Sequence, residues 1–234
     1  MQSRMKTISS TAIRHSAIAL LALELTWAPA ARVAAEDQTP SQVVDGLANR
    51  VVPILQDKSL SSDQKRERIE QIAYEAMDFD TLSKLVLARN WPKFSPAQQA
   101  EFVELFKKHL SITYGRNVDN YKNERVQILG ERREGYGDMT VLTKILRGGG
   151  SDDVVVDYRL RQRGGQWKII DVIVEGVSLV SNFRSQFQDI VSNGGPDRLL
   201  VLLKEKNANG ESLQPAVAKE PHAARAACVA GGRA

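Results

Sequence analysis

The side chains of this chain that could carry chemistry are three histidines, one cysteine, and a few carboxylates and tyrosines set in apolar segments. His15 falls in an apolar N-terminal stretch and His222 in an Ala/Gly/Pro-rich C-terminal one, so His109 is the single histidine of the central region. One imidazole supports neither a histidine-based metal site nor a Ser-His-Asp triad. Its place beside an apolar helical stripe reads as a hydrogen-bonded structural residue. Gly148-Gly149-Gly150 lacks the Lys-Ser/Thr of a phosphate loop and reads as a hairpin turn. Ser178 lacks the second glycine of a nucleophile elbow and reads as a helix N-cap. The remaining catalytic form is an Asp working with a Tyr in an apolar pocket, Asp157 or Asp171 with Tyr114 or Tyr158. Strand alternation sets Asp157 on the face opposite Tyr158 and Asp171 on a face with Trp167, Ile169 and Ile173. The expectation is therefore a protein that is not an enzyme, with no catalytic residue, no metal ligand and no cofactor; an acid–base enzyme on small apolar substrates is the alternative.

The elements that must position these residues follow from hydrophobic period. Val43, Val44, Leu47, Val51, Ile54 and Leu55 predict a helix over 41–56, with Pro53 as a kink or early end. Ser61 or Ser62 caps a second helix through Met77, and a short third follows over 81–87. Ser95-Pro96 supplies an N-cap and first-turn proline for a long helix reaching about Lys122. Its stripe holds Phe102, Leu105, Phe106, His109, Leu110, Thr113, Tyr114, Val118 and Tyr121. Beyond Asn123 the period drops to 2 in four segments, 124–133, 138–147, 153–163 and 166–175, which predict an antiparallel meander. Two last helical patterns, 178–191 and 196–206, are divided by Asn193-Gly194-Gly195. Helices on one face of a curved sheet of about four strands make an α+β domain with a cone-like interior, either filled or hollow.

The ends differ from this core. Arg4, Lys6 and Arg14 precede an apolar run from Ala17 to Ala28, too short to span a bilayer and ordered like a secretory signal peptide. Residues 1–35 are read as that leader, 36–207 as the folded domain and 208–234 as a disordered tail. With no cysteine near the cleavage site to take a lipid anchor, the mature product is expected to be a soluble monomer. Cys228 has no partner in the chain for a disulfide. The sequence pI of about 9.2 belongs to the ends, because residues 36–207 hold 25 basic and 25 acidic side chains. That balance argues against a nucleic-acid partner. Arg132, Arg133, Lys144, Arg147, Arg159, Arg161 and Arg163 gather in the strand region, as a solvated face balanced by Asp152, Asp153 and Asp157 or as contacts for anionic head groups.

The run from Trp167 to Phe187, WKIIDVIVEGVSLVSNFRSQF, closely resembles the signature of the MlaC or toluene-tolerance family of phospholipid-binding proteins. Asp78-Phe79-Asp80, Leu87-Ala88-Arg89-Asn90-Trp91, Ser95-Pro96, Thr113-Tyr114 and Tyr158-Arg159-Leu160 extend the likeness over most of 41–207. Pro92 departs from it, since the family often has a basic residue straight after that Trp. The resemblance implies an NTF2-like α+β cone wrapped by about five or six helices around an apolar pocket. It implies a periplasmic carrier of phospholipid, or of hopanoid-associated lipid, that moves cargo between the outer membrane and an inner-membrane ABC transporter. The partners it implies are a transporter complex with an MCE-type subunit and an outer-membrane lipoprotein complex, acting in outer-membrane lipid asymmetry. On that reading the acyl tails contact Phe102, Phe106, Leu110, Tyr114, Val118, Val141, Val154, Val156, Tyr158, Val172 and Val174. All of these would serve equally as core residues. Arg89 and Arg159 are the candidates for a head-group phosphate, which a guanidinium fork suits.

Overall fold

A computed structural model describes residues 38–115, 123–147 and 153–213. The expected leader, the far end of the long helix with Val118 and Tyr121, the Gly148–Gly150 turn and the chain after Leu213 lie outside the described residues. The described helices are α1 (Pro40–Gln56), α2 (Ser62–Ala76), α3 (Phe79–Leu87), α4 (Pro96–Gly115) and α5 (Leu179–Ala208), with a 3-10 turn over Ala88–Lys93. The strands are β1 (Arg125–Arg133), β2 (Met139–Leu146), β3 (Val154–Arg163), β4 (Gln166–Val174) and a two-residue β5 (Val177–Ser178). They form one antiparallel sheet in the order β1-β2-β3-β4-β5. This is the α+β class read from the sequence. No described helix is long and apolar enough to cross a membrane.

Side-chain caps start the helices where the sequence places them. Thr39 with Gln42 and Ser61 with Gln64 form reciprocal capping boxes. Ser95 and Gln98 do the same ahead of Pro96. Asp78 accepts from the Thr81 amide and Ser178 from the Ser181 amide, so Ser178 is the N-cap expected. Pro53 lies within α1, which runs on to Gln56. The two helical patterns expected after Ser178 join in α5, yet Gly195 sits at φ 71°, ψ −177° inside it. That conformation is open essentially to glycine alone, so the expected break is present in the backbone.

Apolar side chains sort into two cores. The first lies among α3, α4 and α5, where Phe102, Phe106, Phe183 and Phe187 are fully buried with ring centroids 5.1–5.7 Å apart. The second lies between α1 and the sheet, where Val44 packs on Val141, Leu160 and Ile169. Met77 touches both, and its neighbour Asp78 donates its amide to the Ile169 carbonyl (2.9 Å). Burial of this kind is the main favourable contribution to folding.

Strand register departs from simple alternation in β1, between Ile128 and Gly130, and in β4. Arg159 pairs with Asp171 and Leu160 with Ile169, so Ile170 is an extra residue in β4. Such a bulge moves every later side chain to the other face. Val172 joins the face of Tyr158 and Ile169, and Asp171 turns away from it. The expectation that Asp171 shares a face with Trp167 and Ile169 is corrected by this single insertion.

The C-terminal boundary also falls later than Asn207. Ala208 closes α5, and the chain folds back so that the Leu213 amide donates to His109 Nε2 (3.1 Å) while Leu213 packs on the first core. An isolated Leu in a Gly/Ser/Pro-rich stretch carries no period from which this docking could be read.

Candidate functional site

The face of the sheet toward α1 is built from four cross-strand rows, since directly paired residues share a face. Met139, Leu160 and Ile169 make one row, and Glu131, Val141, Tyr158 and Val172 the next. Ile128 with Thr143, and Val156 with Val174, make the third; Val126, Ile145 and Val154 make the fourth. Cover differs along this face. Val141, Leu160 and Ile169 are almost completely buried beneath Val44. Val126, Ile145, Val154 and Val174 keep accessible surface and belong to neither core among the described residues. The first three rows are thus largely packed, with Thr143 and Val156 buried as well, and the fourth row with Val174 is an apolar wall that keeps part of its surface.

The sequence-derived candidates divide along this line. Val154, Val156, Tyr158, Val172 and Val174 stand together on or beside the wall, and Val141 stands at its packed edge. Phe102, Phe106 and Leu110 are enclosed in the first core, where neighbouring rings leave Phe102 and Phe106 no accessible surface to offer a ligand. Tyr114 is partly buried against that same core. Arg89 is exposed. Arg159 points to the opposite face of the sheet from Tyr158 and ion-pairs with Asp138 (2.7 Å). Val126 and Ile145 belong to the wall, and Ile128 lies at its edge against the second core; none of the three is among the sequence-derived candidates, although their alternation along β1 and β2 was the available signal.

The outer face sets ion pairs among apolar residues such as Leu142, Val155 and Ile173. Arg161 grips the Asp138 carboxylate through Nε (2.6 Å) and a terminal nitrogen (2.9 Å), opposite Arg159. Burial alone would raise the Asp138 carboxyl, but the hydrogen bonds and charges of Arg161 and Arg159 hold it below the usual carboxylate range. Arg132 pairs with Glu134, Lys144 with Asp153 and Arg163 with Asp78. Three strands, β1, β2 and β3, therefore carry these basic residues in ion pairs.

The possible acid–base groups are otherwise engaged. Asp171 accepts from Ser178 Oγ (2.5 Å) and the Val180 amide (3.0 Å), tying β4 to the start of α5. Asp157 accepts from the Thr143 amide (3.2 Å). Neither is hydrogen-bonded to Tyr114 or Tyr158 among the described residues. His109 is fully buried, with Nδ1 donating to Asn207 Oδ1 (2.9 Å) and Nε2 accepting from Leu213. Burial pushes its pKa down; the Asn207 bond opposes this and the nearby Lys206 charge reinforces it.

A pH dependence of stability follows. An unfolded His109 takes up a proton near the ordinary value of about 6.5, whereas the folded one does so only at lower pH, so the unfolded state binds more protons between the two. Acidification from pH 7 to 5.5 is expected to cost the wild type up to about 1 kcal/mol more than a His109→Gln protein, read as the shift of the denaturant midpoint. Parallel pH profiles for the two proteins would assign that dependence elsewhere.

Comparison with known proteins bears on this geometry. The model of the family described as MlaC protein matches residues 45–205. The toluene tolerance protein ttg2D of Pseudomonas putida is 28% identical over 168 residues, 68% of this chain and 76% of that protein. The intermembrane phospholipid transport system binding protein MlaC of Haemophilus influenzae is 23% identical over 123 residues, 51% of this chain and 58% of that protein. A solved phospholipid-binding protein from Ralstonia solanacearum, in complex with a phospholipid, superposes with a TM-score of 0.64 at 25% identity, covering 72% of this chain and 96% of that one.

Proposed function

This chain belongs to the MlaC family, and from that membership we propose that it is a lipid carrier that holds the acyl chains of a phospholipid against the apolar wall of its sheet. The observation that carries the reading is the row pattern itself: Val126, Ile145 and Val154 in one row, with Val174 diagonal to Val154 across the buried Val156, form an aliphatic patch that keeps accessible area beside a packed core. A folded protein has little reason to leave such a surface unpacked unless something else covers it. Two acyl chains of about 30 methylenes, at about 0.8 kcal/mol each, cost on the order of 20 kcal/mol to expose to water, so a carrier works by covering them. The P. putida and H. influenzae relatives are named for toluene tolerance and phospholipid transport, and the R. solanacearum structure holds a phospholipid. These names support binding and transport and not catalysis.

In the finer reading, residues 1–35 direct export and the carrier works in the periplasm as a monomer. It takes phospholipid between an outer-membrane lipoprotein complex and an inner-membrane ABC transporter with an MCE-type subunit. Contacts to the tails come from Val126, Ile128, Ile145, Val154, Val156, Tyr158, Val172 and Val174. The test is mass spectrometry of the protein recovered from a periplasmic fraction without detergent, native and then after solvent extraction. One phospholipid per chain is the expected result. A ligand-free mass, together with no uptake from vesicles, would overturn the carrier reading.

A further inference from the structure

Tyr158 stands in the middle of β3, paired with Val141 on one side and Val172 on the other, where the packed part of the inner face meets the open wall. Its ring packs against the second core, yet the side chain keeps accessible surface. No described residue gives its hydroxyl a hydrogen bond, and burial among apolar neighbours raises its pKa, so the group is a neutral donor throughout the physiological range. A tyrosine O–H set inside an apolar wall is normally satisfied, and one left without a protein partner marks where a ligand acceptor belongs.

We propose that Tyr158 donates a hydrogen bond to an ester carbonyl of the bound lipid and so makes the carrier selective for acyl esters. This rests on the carrier reading and specifies the chemistry it requires of its cargo. A phosphate is a poor occupant at this depth, because an unpaired anion in apolar surroundings is expensive. Arg159, the adjacent guanidinium, faces the other way and is held by Asp138. The described charge in the Tyr158 row is the carboxylate of Glu131, which accepts from Ser41 at the start of α1 and would repel a phosphate. An ester carbonyl is neutral, accepts one hydrogen bond, and lies where the acyl chains begin. A lipid without esters offers only an ether oxygen, a weaker and differently placed acceptor, so the hydroxyl would be less well satisfied.

The experiment offers delipidated full-length protein two vesicle preparations, diacyl phosphatidylglycerol and its dialkyl ether analogue with the same chains and head group. The wild type is expected to take up the diester about three- to tenfold more tightly, the range a single hydrogen bond provides. Tyr158→Phe is expected to bind both alike, at the wild-type affinity for the ether and with an unchanged melting temperature. Equal binding of the two lipids by the wild type would overturn the inference while leaving the carrier reading intact, and that comparison does not depend on the variant folding. A Tyr158→Phe protein that kept the ester preference would overturn it too. Uptake of neither lipid by the wild type would remove the carrier reading and this inference with it.

Discussion

A Val154→Trp protein is expected to fold normally and to lose lipid uptake. Val154 shares a row with Ile145 and Val126 and keeps accessible surface, so an indole there grows into free space rather than into neighbours. Displacing about four methylenes of cargo at about 0.8 kcal/mol each weakens uptake by about 3 kcal/mol, on the order of a hundredfold. The denaturant midpoint should move by no more than about 0.5 kcal/mol equivalent. A filled interior would respond in the opposite way, with overpacking costing about 1–3 kcal/mol of stability. Lipid retained at full stoichiometry by a folded Val154→Trp protein would show that this wall is not where the tails lie.

Phe106→Ala should show the complementary effect. Phe106 contacts Phe102, Phe183 and Phe187 at centroid distances of 5.1–5.5 Å and is fully buried, so the truncation opens a cavity that the surrounding rings can close only in part. Losses of about 3–5 kcal/mol are usual for such a change. Against a total of about 5–15 kcal/mol that is a large share. The melting temperature is expected to drop by about 10 °C, while lipid uptake measured at low temperature stays near the wild-type level. If uptake instead collapsed and stability held, Phe106 would belong to the cargo site and the division into a closed core and an open wall would be wrong.

These paired outcomes explain which features were legible in the sequence. Helix starts were readable because the caps are local: Ser61 with Gln64, Ser95 with Gln98 and Pro96, and Ser178 ahead of Ser181 need only their own segments. Strand extents were readable because alternation and glycine turns are local as well. The partner of an apolar face was not. The stripe of Phe102, Phe106 and Leu110 announces burial, and nothing in its period distinguishes α5 from an acyl chain as the covering surface. The same ambiguity ran the other way for Val126, Ile128 and Ile145, which look like ordinary strand residues until the cover above them is known. The docking of Leu213 on His109 was silent for a different reason, because a contact 104 residues away in sequence leaves no periodic trace.

The extra residue at Ile170 has a consequence for how contacts can be transferred between relatives. A strand addresses its two faces by odd and even count, and an insertion shifts that count as an added nucleotide shifts a reading frame. Up to Ile169 the inward residues of β4 fall on odd numbers; from Val172 onward they fall on even ones. A gap-free alignment to a protein whose strand lacks the insertion would therefore swap inward and outward labels over the whole C-terminal half of β4, with no loss of apparent similarity among its valines and isoleucines. Contact residues are carried over safely by cross-strand partner, Tyr158 for Val172 and Val156 for Val174, and unsafely by position along the strand.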